Sequence, residues 1–148
     1  MAEPRPTPLV TPARPGVTGG VVEAHAVVRG AVVAIVVCLP LALLSQQLVD
    51  ADRTSPLAAP LFLLVLAGFA VGGFVAARAA GGAPFTNGGL AALAAFAVIQ
   101  GSALVIRLAA DDPPAIPVIV FNGLLAYACG LAGGAVAARR RRRPEGHA

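Results

Sequence analysis

The chain has 148 residues, of which 57% are hydrophobic and 12% charged, with a formal net charge of +4. Soluble domains carry roughly 25% charged residues, so an ordinary soluble fold is excluded. All eleven basic residues are arginine, which together with 17 Gly, 13 Pro and abundant Ala points to a GC-rich bacterial genome.

The chain opens on a tail, Met1 to about Gly20, that holds Pro4, Pro6, Pro8, Pro12 and Pro15. Such a segment cannot bury a core and is expected to be extended and disordered, with its boundary at residue 24. Val21–Arg29 reads as a juxtamembrane helical turn. A membrane domain is expected over residues 25–139, followed by a basic tail at 140–148.

Within that domain lie four apolar runs: Gly30–Val49, Pro56–Ala80, Gly88–Ala110 and Ile116–Ala138. Each has 20 residues or more, and about 20 helical residues cross a hydrocarbon layer roughly 30 Å thick. Backbone in lipid must satisfy its own hydrogen bonds, so each run is predicted to be a transmembrane helix. The outer loops Asp50–Ser55 and Asp111–Ala115 place Asp before Pro, a helix stop followed by a start. The inner loop Gly81–Asn87 is rich in Gly and Pro, as a turn requires. Connections this short make consecutive helices antiparallel neighbours. The predicted fold class is an all-α integral membrane protein of four helices.

The helices form two hairpins that repeat one another. Gly72-Gly73-Phe74-Val75-Ala76-Ala77-Arg78 returns as Gly133-Gly134-Ala135-Val136-Ala137-Ala138-Arg139, and Asp50 and Pro56 fall on Asp111 and Pro117. Alignment of residues 31–78 with 92–139, without a gap, gives 16 identities in 48 positions. Two spans per unit imply parallel copies related by a pseudo-two-fold axis along the membrane normal.

Orientation follows from the arginines. One side receives Arg5, Arg14, Arg29, Arg78 and Arg139–Arg143, the other only Arg53 and Arg107. The positive-inside rule then places both termini in the cytoplasm of a bacterial cell, with the helices in its cytoplasmic (inner) membrane. A cleaved signal peptide is disfavoured, because some 29 polar or Pro-rich residues precede the first run.

The repeated motif reads as packing and anchoring. Gly68, Gly72 and Gly73, with Gly130, Gly133 and Gly134, form strips where another helix can approach closely. Arg29, Arg78, Arg139, Arg140 and Arg141 sit at the headgroup level, where each basic residue attracts anionic lipid by about 1 kcal/mol. A phosphate-binding glycine loop would need a following Lys and Ser/Thr, which the motif lacks. Five arginines without aromatics or a supporting fold do not indicate nucleic-acid binding.

Polar residues within the spans are the candidate site. Spacing of seven puts Gln100 and Arg107 on one helical face, Asn122 with Cys129, and Cys38 with Ser45. These stripes, with Gln46 opposite Arg107 in the repeat, are candidates for a polar pocket in the outer half of the bundle. Such residues are also common as glue between helices, and Arg107 lies close enough to the polar end to reach the interface. Cys38 and Cys129 read as small apolar residues. The two histidines, His25 and His147, build no metal cluster, and no acidic residue lies in the central membrane. Pro40 aligns with Gly101, matched positions that could kink or hinge.

The stretch Gly72–Gly89, GGFVAARAAGGAPFTNGG, resembles small bacterial four-span membrane proteins of unknown function, including the YrzE-like group. The resemblance covers residues 30–139 and implies a fold without an activity. Small multidrug resistance transporters also have four spans, but they depend on a glutamate in the first span, and Glu23 lies outside the apolar run. The expectation is a non-enzymatic membrane module, without cofactor, that self-associates or packs with a larger membrane partner in contact with anionic lipid. The alternative is permeation of ions or small solutes through the polar pocket.

Overall fold

In a computed structural model, residues 21–51, 56–112 and 114–142 are described. Most of the Pro-rich tail, part of the Asp50–Ser55 loop and Arg143 with the residues after it lie outside these. Four helices make up the bundle: α1, Ala24–Ala51; α2, Ala58–Ala79; α3, Pro84–Ala109; and α4, Ile116–Arg142. At 1.5 Å per residue even the shortest, with 22 residues, spans about 33 Å. All four are long and apolar enough to cross a membrane.

The helix starts differ from the apolar runs for local reasons. α1 begins at Ala24, so the expected juxtamembrane turn is continuous with the first span, and Pro40 lies inside the helix. α3 begins at Pro84, in the first helical turn, where the missing N–H has no helical partner to lose. Asn87 therefore belongs to the first turn of α3 and not to the loop. Ala83, just before it, has a left-handed backbone with φ 41°, a conformation that disfavours residues carrying a Cβ.

The bundle is inside out relative to a soluble protein. Its interior is mostly alanine: Ala26, Ala34, Ala76, Ala77, Ala91, Ala92, Ala95 and Ala126 are buried, together with Cys38 and Phe69. Large apolar side chains point outward, among them Val36, Leu63, Val105, Ile106 and Leu124. A surface apolar along its whole length is incompatible with water and suited to lipid. Small interior residues let helix backbones approach, the main source of cohesion where solvent and protein are equally apolar.

Neighbours are arranged as a diamond. α2 and α3 touch across the short diagonal; α1 and α4 occupy the far corners, each against both α2 and α3, and make no contact with each other among the described residues. One end gathers the start of α1, the α2–α3 loop and the end of α4; this is the arginine end. The other, with Asp111 and Asp112, is the aspartate end.

Glycines set the helix crossings in the arginine half. A Cβ on Gly72 would lie 2.6 Å from the Ala34 Cβ and 2.8 Å from the Gly30 carbonyl oxygen, and one on Gly68 would lie 2.5 Å from the Cys38 Sγ. Gly68 and Gly72 therefore bind α2 to α1. Gly130 and Gly134 bind α4 to α3 in the same way, against Gly88 and Pro84. The glycines left over join the two hairpins, with Gly73 on Gly130 and Gly133 on Ala70 and Phe74. The hairpin seams thus use Gly68/Gly72 and Gly130/Gly134, whereas the sequence repeat superposes Gly72/Gly73 on Gly133/Gly134. The two copies share a motif but turn it by one residue against their neighbours.

Candidate functional site

Two polar regions lie within the bundle, one at each end. At the arginine end, Asn87 is completely buried, yet its side chain is fully engaged. Its Oδ1 accepts from the backbone N–H of Glu23 at 2.9 Å, and its Nδ2 donates to the carbonyls of Gly82 and Ala83, each at 3.1 Å. Glu23 answers with its carboxylate: Oε1 accepts from the N–H groups of Gly81 at 2.7 Å and Gly82 at 3.2 Å. The start of α1 is thereby clasped to the α2–α3 loop. Arg141 closes the same end, its Nη2 donating to the carbonyls of Ala77, Arg78 and Ala80 at 2.7–2.9 Å. These are the carbonyls that the end of α2 leaves without helical partners. Arg141 thus has a role within the molecule although, like Arg29, Arg78, Arg139 and Arg140, it is exposed at this end.

The aspartate half is built differently. Below the glycine crossings the helices stand apart around a cavity of about 330 Å³ to which all four contribute. α1 supplies Cys38, Ala42 and Ser45; α2 supplies Phe62, Val65 and Phe69; α3 supplies Phe96 and Gln100; and α4 supplies Asn122. Phe69 and Phe96 meet edge to face with ring centroids 6.4 Å apart. Beside them the Cys38 thiol donates to the Val65 carbonyl at 3.3 Å. Rings and thiol together form the floor, on the side facing the arginine half.

The polar groups of the crevice have capacity left. Ser45 donates its hydroxyl proton to the Ala42 carbonyl at 2.7 Å, which leaves oxygen lone pairs as acceptors. No hydrogen bond joins the side chain of Gln100 or Asn122 to another described residue. Both amides are partly accessible, and each offers two donors and an acceptor. An apolar cleft with a few polar groups, at the lower end of roughly 300–1,000 Å³, has the form of a small-molecule site.

The sequence-derived candidates therefore separate. Gln100 and Asn122 line one crevice with Cys38 and Ser45. Arg107 does not join them; its guanidinium pairs with Asp112 at 3.7 Å, with both side chains about half exposed. Such surface pairs contribute little, about 0–1 kcal/mol. Gln46 falls in α1, but its side chain lies outside the described set. Cys129 is half-buried, and both cysteines are free thiols. Among the described residues no group of three His, Cys, Asp or Glu side chains is placed to hold a metal.

Sequence reasoning missed the aromatic walls, because a phenylalanine on an apolar helix carries no marker of the face it takes. It also missed the Asn87–Glu23 clasp. The available signal was Asn87 itself, one of two asparagines in the chain, set behind a Gly-Gly-Ala-Pro helix start.

Four apolar helices, small residues within and large apolar ones without define a multi-pass α-helical membrane protein. The chain belongs to the family described as "Protein of unknown function (DUF3792)", whose model matches residues 23–137. That match takes in the first three helices and α4 up to Ala137. No curated protein and no solved structure matches the chain.

Proposed function

We propose that the protein is a non-enzymatic membrane module that receives one small amphipathic molecule in its aspartate-half crevice. It sits in a bacterial cytoplasmic membrane with the arginine end in the cytoplasm, so the crevice lies in the outer leaflet. Kinship with the YrzE-like group is part of this reading.

One observation carries it. Two amide side chains, Gln100 and Asn122, face a shared apolar cavity without a hydrogen-bond partner among the described residues. Both amides keep accessible surface, so their unused donors and acceptors are open to an occupant of the cavity. A molecule with a polar head and an apolar body would satisfy the amides and fill the space between the phenylalanines. Closure at the arginine end supports holding over conduction, because a solute could pass only if the glycine crossings parted. The glycine faces that suggested self-association are taken up by the chain's own helices. The crevice therefore carries the reading, and an oligomer or partner complex would need another surface.

The test is native mass spectrometry of the full-length protein, extracted from its own membranes into mild detergent. The wild type is expected to retain a single small adduct that Gln100→Leu/Asn122→Leu loses while keeping its helical content. A wild-type spectrum at the bare mass of the chain would overturn the reading. So would an adduct held equally well by the double variant.

A further inference from the structure

The crossing of α2 and α4 leaves a second concavity, on the outside of the bundle at the arginine end. Gly133 packs directly onto the backbone of α2 at Ala70 and Phe74. With no side chain between the two helices, the seam is a furrow of about 330 Å³ whose lining includes Val71 and Val136. Both valines are nearly half exposed, at 48% and 47%, on the surface that faces lipid. A furrow of this kind, lined almost entirely by apolar groups, complements a hydrocarbon chain lying along the helices.

What lies at the end of the furrow makes the site specific. Phe74 is part of its lining, as is Arg140. The guanidinium carbon of Arg140 lies 5.5 Å from the centre of the Phe74 ring, and that of Arg78 lies 5.6 Å from it. One ring thus fixes two cations, one from each helix of the seam, by attraction to its π face. Neither arginine has a carboxylate within ion-pair distance among the described residues. Arg140 lines the furrow itself and Arg78 reaches the same ring from beyond its lining, so an anion at the furrow's end would meet Arg140 with a second cation nearby. The neighbouring arginines do not share this arrangement: Arg141 is turned onto the carbonyls of α2, and Arg139 has no part in the furrow.

We propose that this furrow is a binding site for one anionic phospholipid, with an acyl chain between Val71 and Val136 and its phosphate at Arg140, near the second cation that Phe74 holds. The five-arginine run then combines two roles. Its general attraction for anionic membrane is diffuse, whereas Arg140, through Phe74, belongs to a defined site. The proposal does not depend on the crevice, which lies in the opposite half and is lined by other residues.

The experiment measures lipid retention by native mass spectrometry. The full-length protein is supplied with dioleoyl phosphatidylglycerol or dioleoyl phosphatidylcholine. The wild type is expected to retain one phosphatidylglycerol in preference to phosphatidylcholine. Arg140→Gln should lower that occupancy about fivefold, the scale of one basic residue at an anionic surface. Arg139→Gln, an equal change of charge one residue away, should lower it clearly less, because Arg139 does not line the furrow. Ala132→Phe, a substitution at an exposed furrow position, should fill the furrow and lower occupancy of both lipids with every charge intact. Millimolar inorganic phosphate should not displace the lipid. Equal retention of the two lipids by the wild type would overturn the proposal. A loss in Arg139→Gln as large as in Arg140→Gln would reduce it to diffuse charge, and displacement by phosphate would make it a free-anion site; either result overturns it.

Discussion

The two halves of this bundle solve the same packing problem in opposite ways. In the arginine half, glycine and alanine bring four helices to backbone contact, and the buried Asn87 finds partners for its whole side chain. In the aspartate half, phenylalanines line a cavity between the helices, and two amides face it without hydrogen-bond partners among the described residues. The difference follows from the solvent. Lipid tails provide no hydrophobic drive for one helix to prefer another, so cohesion comes from close contact and hydrogen bonds. Where residues are small the helices lock, and where they are large a cavity remains. Close packing is concentrated at one end of the molecule and open space at the other.

The contrast breaks most severely at the glycine crossings. Gly73, Gly88 and Gly130 bring α2, α3 and α4 to one point; a Cβ on Gly130 would lie 2.5 Å from the Gly88 carbonyl oxygen and 2.6 Å from the Ala92 Cβ. The oxygen is backbone and the Cβ is fixed to it, so neither can step aside as a flexible side chain could. Gly130→Ala should therefore destabilise by about 1–3 kcal/mol, the range for overpacked cores. Denaturation in mixed micelles with increasing sodium dodecyl sulfate measures it. Gly73→Ala, at the same crossing, should combine with it non-additively.

The clasp at the arginine end comes next. Asn87→Ala removes the acceptor of the Glu23 N–H and the donor to the Gly82 and Ala83 carbonyls. It also releases a restraint on Ala83, which is held left-handed at φ 41°. Unsatisfied buried groups cost about 1–3 kcal/mol, and the same titration should show a loss in the lower part of that range. Hydrogen exchange should rise first at Glu23 and around the loop. A variant indistinguishable from wild type in both measurements would show that the arginine half does not depend on this clasp for its cohesion.

Fold and site were legible in the sequence to different depths. Each span announces itself because lipid demands twenty apolar residues in a row, and Arg78 and Arg139 mark the same end of the bundle twice. The glycines were recognisable as packing residues for the same reason. Their partners were not, since one Gly-Gly motif serves two neighbours and the second copy uses it turned by one residue. Spacing of seven correctly associated Cys38 with Ser45 on one crevice wall. By the same spacing Gln100 and Arg107 share a face of α3, but Gln100 lines the crevice while Arg107 lies beyond it, paired with Asp112. Periodicity gives the face of a helix and not the depth at which the bundle opens. Asn87 was hidden by the Gly/Pro-rich text around it, which reads as a loop until Pro84 is recognised as a helix start.

The smallest predicted effect is the sharpest check on the contrast, because it uses the same substitution with the opposite sign. Gly101 aligns with Pro40 in the repeat, a matched pair that suggested hinges. In the structure Gly101 lies within α3, and a Cβ built on it would meet nothing within 4 Å. A glycine there relaxes the helix without admitting a neighbour. Gly101→Ala should thus be tolerated and should stabilise by about 0.5–1 kcal/mol, the usual helix preference for alanine over glycine. The small adduct expected in the crevice should stay bound, since Gly101 does not line it. If Gly101→Ala instead destabilised as Gly130→Ala does, α3 would be closely packed at this depth. The contrast between a locked arginine half and an open aspartate half would then fail on this face of α3.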